Sequence, residues 1–515
     1  MTTILFGITQ TKDARVGRFF MQLARQFAFG FPAVDVRRDL AGHEAADALR
    51  QRLMRFVIIG RSCAPVVEGC HGAMLRGVDG NVKRGLRCGN KHLRSRAMNK
   101  SHLLAGLAAF ALISTPAMAQ KSPEAVAEAA LKKAPVFDGH NDVPWELRGQ
   151  VGNMINTFDF RDTTKPKPDG TVMHTDIQRL RKGHVGAQFW SVYVPSNTNE
   201  QQAVQQTIEQ IDVAKRLIAR YPSDLGFAST AAELESQMKA GKVAGMLGME
   251  GGQSIGSSLA VLRQLYGMGA RYMTLTHGKT TPWADSATDA PQHDGLTDFG
   301  RQVVQEMNRI GMIVDLSHVS EATMKDALEV SKAPVMFSHS GVRAVNDHPR
   351  NVPDSVLPAV KANGGVVMVV LYAAFLDPKL RAHGLARTAE KARLDALYVG
   401  NPDAVAPALK AWDAANSAPQ TPIGIAADHI DHIKKTIGVD HIGIGGDYDG
   451  MDATPVGLED VTGYPRLFAE LARRGYTQAE LEKIASGNML RVLKAVEAYS
   501  ASQKGQPPIE TPVAK

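Results

Sequence analysis

The sequence predicts an α/β protein: a parallel (β/α)₈ TIM barrel with a binuclear metal site at the carboxyl-terminal face of its strands. Three observations lead there. Eight short apolar, β-rich runs alternate with amphipathic helical stretches between residues 134 and 497. Several of those runs are continuously apolar, as expected of strands covered on both faces. Most of them end in a histidine or a carboxylate, on the side where barrels gather reactive groups.

The expected strands are Pro135–His140, Ala187–Tyr193, Val243–Met249, Arg271–His277, Met312–His318, Pro334–His339, Gly365–Tyr372 and His441–Asp447. Between them, helical spacing marks Gln201–Arg220, Ser257–Met268, Gly300–Ile310, Glu321–Ser331, Asp354–Ala362 and Ile425–Ile437. Tyr464–Arg474 and Thr477–Tyr499 follow the last strand. Eight repeats of strand and helix favour a closed barrel over an open doubly wound sheet. The barrel domain is expected over 120–500. Residues 376–420, rich in Ala, Lys and Arg, form an insertion after the seventh strand and are expected to be helical. Residues 501–515 read as a disordered tail.

Charge divides the chain. Residues 1–97 hold 17 basic and 7 acidic groups, a net of +10, whereas residues 98–515 hold 42 and 45, a net of −3. The overall excess of +7 therefore says nothing of a nucleic-acid surface on the main body, and no nucleic-acid partner is expected. Cys63, Cys70 and Cys88 also precede residue 98, so nothing beyond can form a disulfide or a thiolate metal site.

From Met98 the sequence has the layout of a secretory signal. Lys100 supplies a positive start, Leu103–Ile113 is an eleven-residue apolar run, and Ala117-Met118-Ala119 is a small-x-small cleavage site before Gln120. A membrane-spanning helix would need about 20 apolar residues. A signal peptide over 98–119 is thus expected, with 1–97 an upstream extension from start-site choice and a periplasmic or secreted mature chain. No cysteine follows the cleavage site and the end, PPIETPVAK, is polar, so no stable membrane anchor is expected.

The strand ends carry the chemistry. The first ends in Asp138-Gly139-His140-Asn141-Asp142, and a His-x-Asp pair on extended chain projects both side chains to one face. Glu250 ends the third strand, His277 the fourth, His318 the fifth, His339 the sixth and Asp447 the eighth. Singly, each has an ordinary reading as a hydrogen-bonded or turn-forming residue. Jointly, they would meet on one barrel face, where their convergence is costly unless cations are bound. Imidazole and carboxylate suit zinc. Six ligands exceed one tetrahedral ion and suit two ions bridged by a carboxylate and a water.

Six strings, FDGHNDVPWELR, GMEGGQSI, TLTHGKTTPWADS, IVDLSHVSEATM, FSHSGVRAVNDHPRNVPD and GIGGDYDG, occur in this order. Together they resemble the membrane dipeptidase (renal dipeptidase) family of zinc metallopeptidases over residues 134–497. The resemblance implies a TIM barrel with two Zn²⁺ per chain that hydrolyses dipeptides by a metal-bridged hydroxide, often tolerating a C-terminal D-residue. It implies that His140 and Asp142 hold the first zinc, Glu250 bridges, and His318 and His339 hold the second. It makes His277 a catalytic and substrate-binding residue, Arg350 a substrate-binding residue and Asp447 the catalytic base. A homodimer is compatible with it. The mature chain lacks the cysteines of animal members. The alternatives are another binuclear barrel amidohydrolase, many of which bridge their metals with a carboxylated lysine, and a periplasmic binding protein without catalysis.

Overall fold

A computed structural model describes residues 121–167 and 170–512. The expected signal peptide, its expected cleavage site and the expected upstream extension lie outside the described residues. Among the described residues nine strands form: β1 Val136–Asn141, β2 Val185–Tyr193, β3 Leu225–Phe227, β4 Val243–Glu250, β5 Ala270–Thr274, β6 Ile313–Asp315, β7 Met336–Phe337, β8 Val366–Val370 and β9 Ile442–Gly445. Eight of them run in the order β2-β1-β9-β8-β7-β6-β5-β4, all parallel, and β2 pairs with β4 to close the ring. This is the expected (β/α)₈ barrel. The additional strand, β3, pairs with Val243–Gly245 at the start of β4, just below the level at which β5 joins that edge. It is too short for its periodicity to stand out in the sequence.

Two apolar layers build the barrel. Phe137, Phe189, Met246, Tyr272, Ile313, Met336, Val366 and Met368 form an inner cluster, joined by Met489, Val492, Leu493 and Val496 of the last helix. The alternate residues, such as Trp190, Leu247, Met249, Val314, Phe337, Val367 and Ile444, face the surrounding helices. This division follows from the two-residue period of a strand. Helix starts are set by side chains that accept the first free backbone N–H groups: Asn199, Thr230, Ser258, Thr297 and Ser320 each cap the amide three residues on. Short helices at Pro123–Lys133, Val143–Val151, Ile177–Lys182 and Ala231–Lys239 join those expected.

Several expected strands are shorter than their apolar runs. β5, β6 and β7 stop at Thr274, Asp315 and Phe337, so His277, His318 and His339 stand on the loops just beyond. Those loops turn across the barrel mouth. Gly445, at the end of β9, permits this, because a Cβ there would collide with the backbone carbonyl of Ser338.

The insertion is helical, with helices Pro378–Leu397 and Val405–Ala415 tied by a two-pronged ion pair from Arg387 to Asp413 at 2.7 and 2.9 Å. The segment expected to be a disordered tail is docked where it is described. The last helix runs to Ser502, and Ile509 packs on the core. The Ile509 amide donates to Glu306, and its carbonyl accepts from Arg263. Glu306 is a buried carboxylate already held by Arg263 and Arg309, which gives the passing backbone a fixed acceptor. Among the described residues, no helix is long and apolar enough to cross a membrane.

Candidate active site

At the carboxyl-terminal end of the barrel lies a cavity of about 910 Å³, lined among others by Asp142, Glu250, His277, His318, His339, Arg350 and Asp447. The insertion contributes nothing to this lining, which passes from Phe375 to Asp447 along the chain.

His140, at the end of β1, is fully buried. Its Nδ1 lies 2.7 Å from the Tyr272 hydroxyl, which turns Nε2 into the cavity floor. There Nε2 stands 3.2 Å from Asp142 Oδ2 and 3.3 Å from Glu250 Oε2. Despite this proximity Nε2 has no hydrogen-bond partner, and neither has Asp142 Oδ1. Buried donors that approach one another without bonding have the arrangement of ligands around a cation. Asp142 is not on extended chain as expected. It has φ −97° and ψ 21° and opens the helix Val143–Val151. The bend still brings its carboxylate to His140.

Glu250 ends β4 with its two oxygens facing different groups. Oε2 meets His140 and accepts from Ser191 Oγ at 3.2 Å, whereas Oε1 lies 3.0 Å from His318 Nε2, 3.5 Å from His339 Nε2 and 3.7 Å from His277 Nε2. His339 is oriented by Ser338, whose Oγ is 2.8 Å from Nδ1. Three overlapping groups could each hold an ion: His140, Asp142 and Glu250; Glu250, His318 and His339; and His140, His339 and Asp447. His318 and Asp447 adopt φ of +66° and +62°, which side chains rarely take. Such strain persists where the surroundings over-determine it, and both residues face this floor.

Electrostatics agree with a cation site. Burial would lower the His140 imidazole, but Tyr272, Glu250 and Asp142 outweigh it and hold it well above its ordinary range. Burial alone would raise Glu250, yet His140 and its other imidazole neighbours bring it well below the usual carboxylate range. His318 and His339 are pushed well down, first by burial, then by cationic neighbours, and so present neutral imidazole. Asp447 is pushed well up by burial, reinforced by Asp142 and Glu250.

Arg350 is buried beside this floor, donating to Ser340 Oγ at 3.3 Å and to the His339 carbonyl at 3.2 Å, with Nε unpaired. Burial lowers it to about 10, so it remains a cation at neutral pH. His277 is partly exposed, packs on Tyr193, has Nδ1 unpaired, and is lowered chiefly by burial.

The family model for membrane dipeptidase (peptidase family M19) matches residues 124–507. The chain belongs to the membrane dipeptidase family. As a member it is a metallopeptidase-type hydrolase, in agreement with the ligand-rich floor. This membrane dipeptidase family protein is 41% identical over 387 residues to Dipeptidase 3 of Rattus norvegicus, across 74% of this chain and 69% of the relative. It is 40% identical over 389 residues to Dipeptidase 3 of Homo sapiens, across 75% and 70%. Among solved structures, a metallo peptidase from Rhodobacter sphaeroides, liganded with a phosphinate mimic of the dipeptide L-Ala-D-Ala, superposes with a TM-score of 0.57. It is 26% identical, across 70% of this chain and 99% of that one. The probable dipeptidase PvdM from Pseudomonas aeruginosa has the same fold, with a TM-score of 0.63 at 24% identity, across 73% and 99%.

All eight residues singled out in the sequence converge at this site. The residues that aim them were not singled out. Tyr272 and Ser338 read as ordinary residues of expected strands, and only the inward alternation along β5 marks Tyr272 as facing the interior. The cavity walls were also not legible: Trp145 and Glu146 come from the helix Val143–Val151, Tyr193 from the end of β2, and Lys167, Tyr372, Phe375 and Asp452 from other segments far apart in the chain. The carboxylated-lysine alternative finds no unpaired lysine in this lining among the described residues. Among the described residues, Lys167 is the one lysine of the cavity lining, and it is paired with Glu146 at 3.1 Å.

Proposed function

We propose that the protein is an exported zinc dipeptidase holding two Zn²⁺ per chain, and that it accepts dipeptides with a C-terminal D-residue. The observation that carries the metal count is Glu250, whose two oxygens serve two different ligand groups. The donor set of imidazoles and carboxylates suits zinc. His140 and Asp142 would hold one ion, His318 and His339 the other, with Glu250 between. The solved relative liganded with a mimic of L-Ala-D-Ala supports a dipeptide substrate and the stereochemistry. The run from Met98 to Ala119 supports export to the periplasm or medium.

Bound zinc supplies an acidified water and a Lewis acid for the scissile carbonyl. The protein's own groups do the rest. Asp447 takes the proton of the attacking water and returns it to the leaving amine, for which its buried place on the floor beside His140 and His339 suits it. His277, kept neutral by burial, donates to the developing oxyanion. Arg350, with an unpaired Nε beside the floor, takes the substrate carboxylate, which restricts the site to short substrates.

The test is metal analysis joined to a dipeptide panel. The purified chain from Gln120 onward is expected to carry about two zinc ions, to lose them and its activity to chelators, and to cleave L,L and L,D dipeptides. Full activity in a metal-free preparation would overturn the zinc reading. Binding of both metals without hydrolysis would favour the non-catalytic binding protein. N-terminal sequencing of the exported protein is expected to begin at Gln120.

A further inference from the structure

The cavity wall holds three carboxylates outside the floor, and they are not equivalent. Glu146 is neutralised by Lys167 and also accepts from Gln150. Asp449 is buried and accepts from the backbone of His174. Asp452 is exposed, lines the cavity, and has no ion-pair partner among the described residues. Its contact is the Tyr372 hydroxyl, which donates to Oδ1 at 2.8 Å and leaves Oδ2 free. Tyr372 in turn meets Phe375 edge-on, with ring centroids 4.6 Å apart. An aromatic surface thus leads along the cavity wall to an oriented, uncompensated negative charge.

Resting on the dipeptidase reading above, the geometry points to Asp452 as a specificity residue that selects dipeptides bearing a long basic side chain. The substrate's α-ammonium is not its target. That nitrogen lies only about 2.5 Å from the scissile carbonyl carbon, as backbone geometry requires. It therefore stays with the buried carboxylates of the floor. The ammonium of a lysine-like side chain lies about 6 Å from its Cα and reaches outward to the exposed wall. Its methylene stem packs on the Tyr372–Phe375 surface, and its charged end meets Asp452. Glu146, already paired with Lys167, offers no such net charge.

The experiment measures kcat/KM of the zinc-loaded enzyme for dipeptides of alanine with lysine or with norleucine, which has the stem without the ammonium. Both residue orders are tested. In one order at least, lysine is expected to be preferred about threefold, the size of a partly screened surface ion pair, and the preference is expected to shrink with added salt. Asp452→Asn should abolish the preference, Asp452→Glu should retain most of it, and Asp452→Lys should reverse it. Equal use of lysine and norleucine in both orders, or a preference that survives in Asp452→Asn, would overturn the inference and leave the dipeptidase reading standing. Failure to cleave any of these dipeptides with both metals bound would instead bring down the dipeptidase reading, and this inference with it.

Discussion

The floor of the cavity and its wall are built differently. On the floor His140, Asp142, Glu250, His318, His339 and Asp447 are buried, and several are aimed by a second residue: His140 by Tyr272, His339 by Ser338, Glu250 by Ser191. On the wall, Glu146, Lys167, Tyr372 and Asp452 are half-buried or exposed, and each is held by only one or two side-chain contacts. Buried groups in a network lose much when one partner goes, because the remainder cannot turn to water. Exposed pairs lose little. The difference teaches that the fold protects the chemistry, while selection among substrates can change on the wall without disturbing it.

The largest effect is expected at the bridge. Glu250→Gln removes a charge shared by both ligand groups, and uncompensated buried partners cost about 3–5 kcal/mol. Metal affinity at both positions should then fall by roughly 10²–10⁴-fold, read by metal analysis, and activity should fall with it. Selective loss of one ion would break the idea that Glu250 serves both. Next comes Asp447→Asn, which keeps the shape but is a poor proton acceptor. Activity should drop by roughly 10²–10⁴-fold with zinc content nearly unchanged. Asp142→Asn should release more zinc than Asp447→Asn does. Near-full turnover by Asp447→Asn with both metals bound would place the base elsewhere.

Smaller effects sharpen the contrast. Tyr272→Phe and Ser338→Ala remove groups that orient ligands, and metal affinity should fall about 10–100-fold in titrations against a chelator. Gly248→Ala should act in the same direction, because a methyl group there would strike the Tyr272 ring. If these variants bind metal like the parent, the floor is not over-determined as argued. The smallest effect is expected on the wall. Lys167→Ala breaks only the half-buried pair with Glu146, and KM should change less than about fivefold with zinc content unaltered.

The sequence by itself determined the barrel, its eight closing strands and the ligand candidates, because each of these rests on a local signal. A run such as Val366–Val370 is short, apolar at every position and almost wholly β-branched, the pattern of a strand buried on both faces. His140, Glu250 and Asp447 each punctuate such a run, so both their element and its end were legible. Tertiary structure decided the rest, because those contacts join positions far apart in the chain. Tyr272 reaches His140 across 132 residues, and nothing local distinguishes it from a core tyrosine. The docking of Ile509 depends on a carboxylate 203 residues earlier, so a polar segment that looked disordered is held in place. Asp452 became a candidate only when Tyr372, 80 residues away, was found to orient it. Periodicity reports which face of an element is buried. Which side chain from another element it meets there depends on how the barrel closes, and that is settled by the packing of the whole ring.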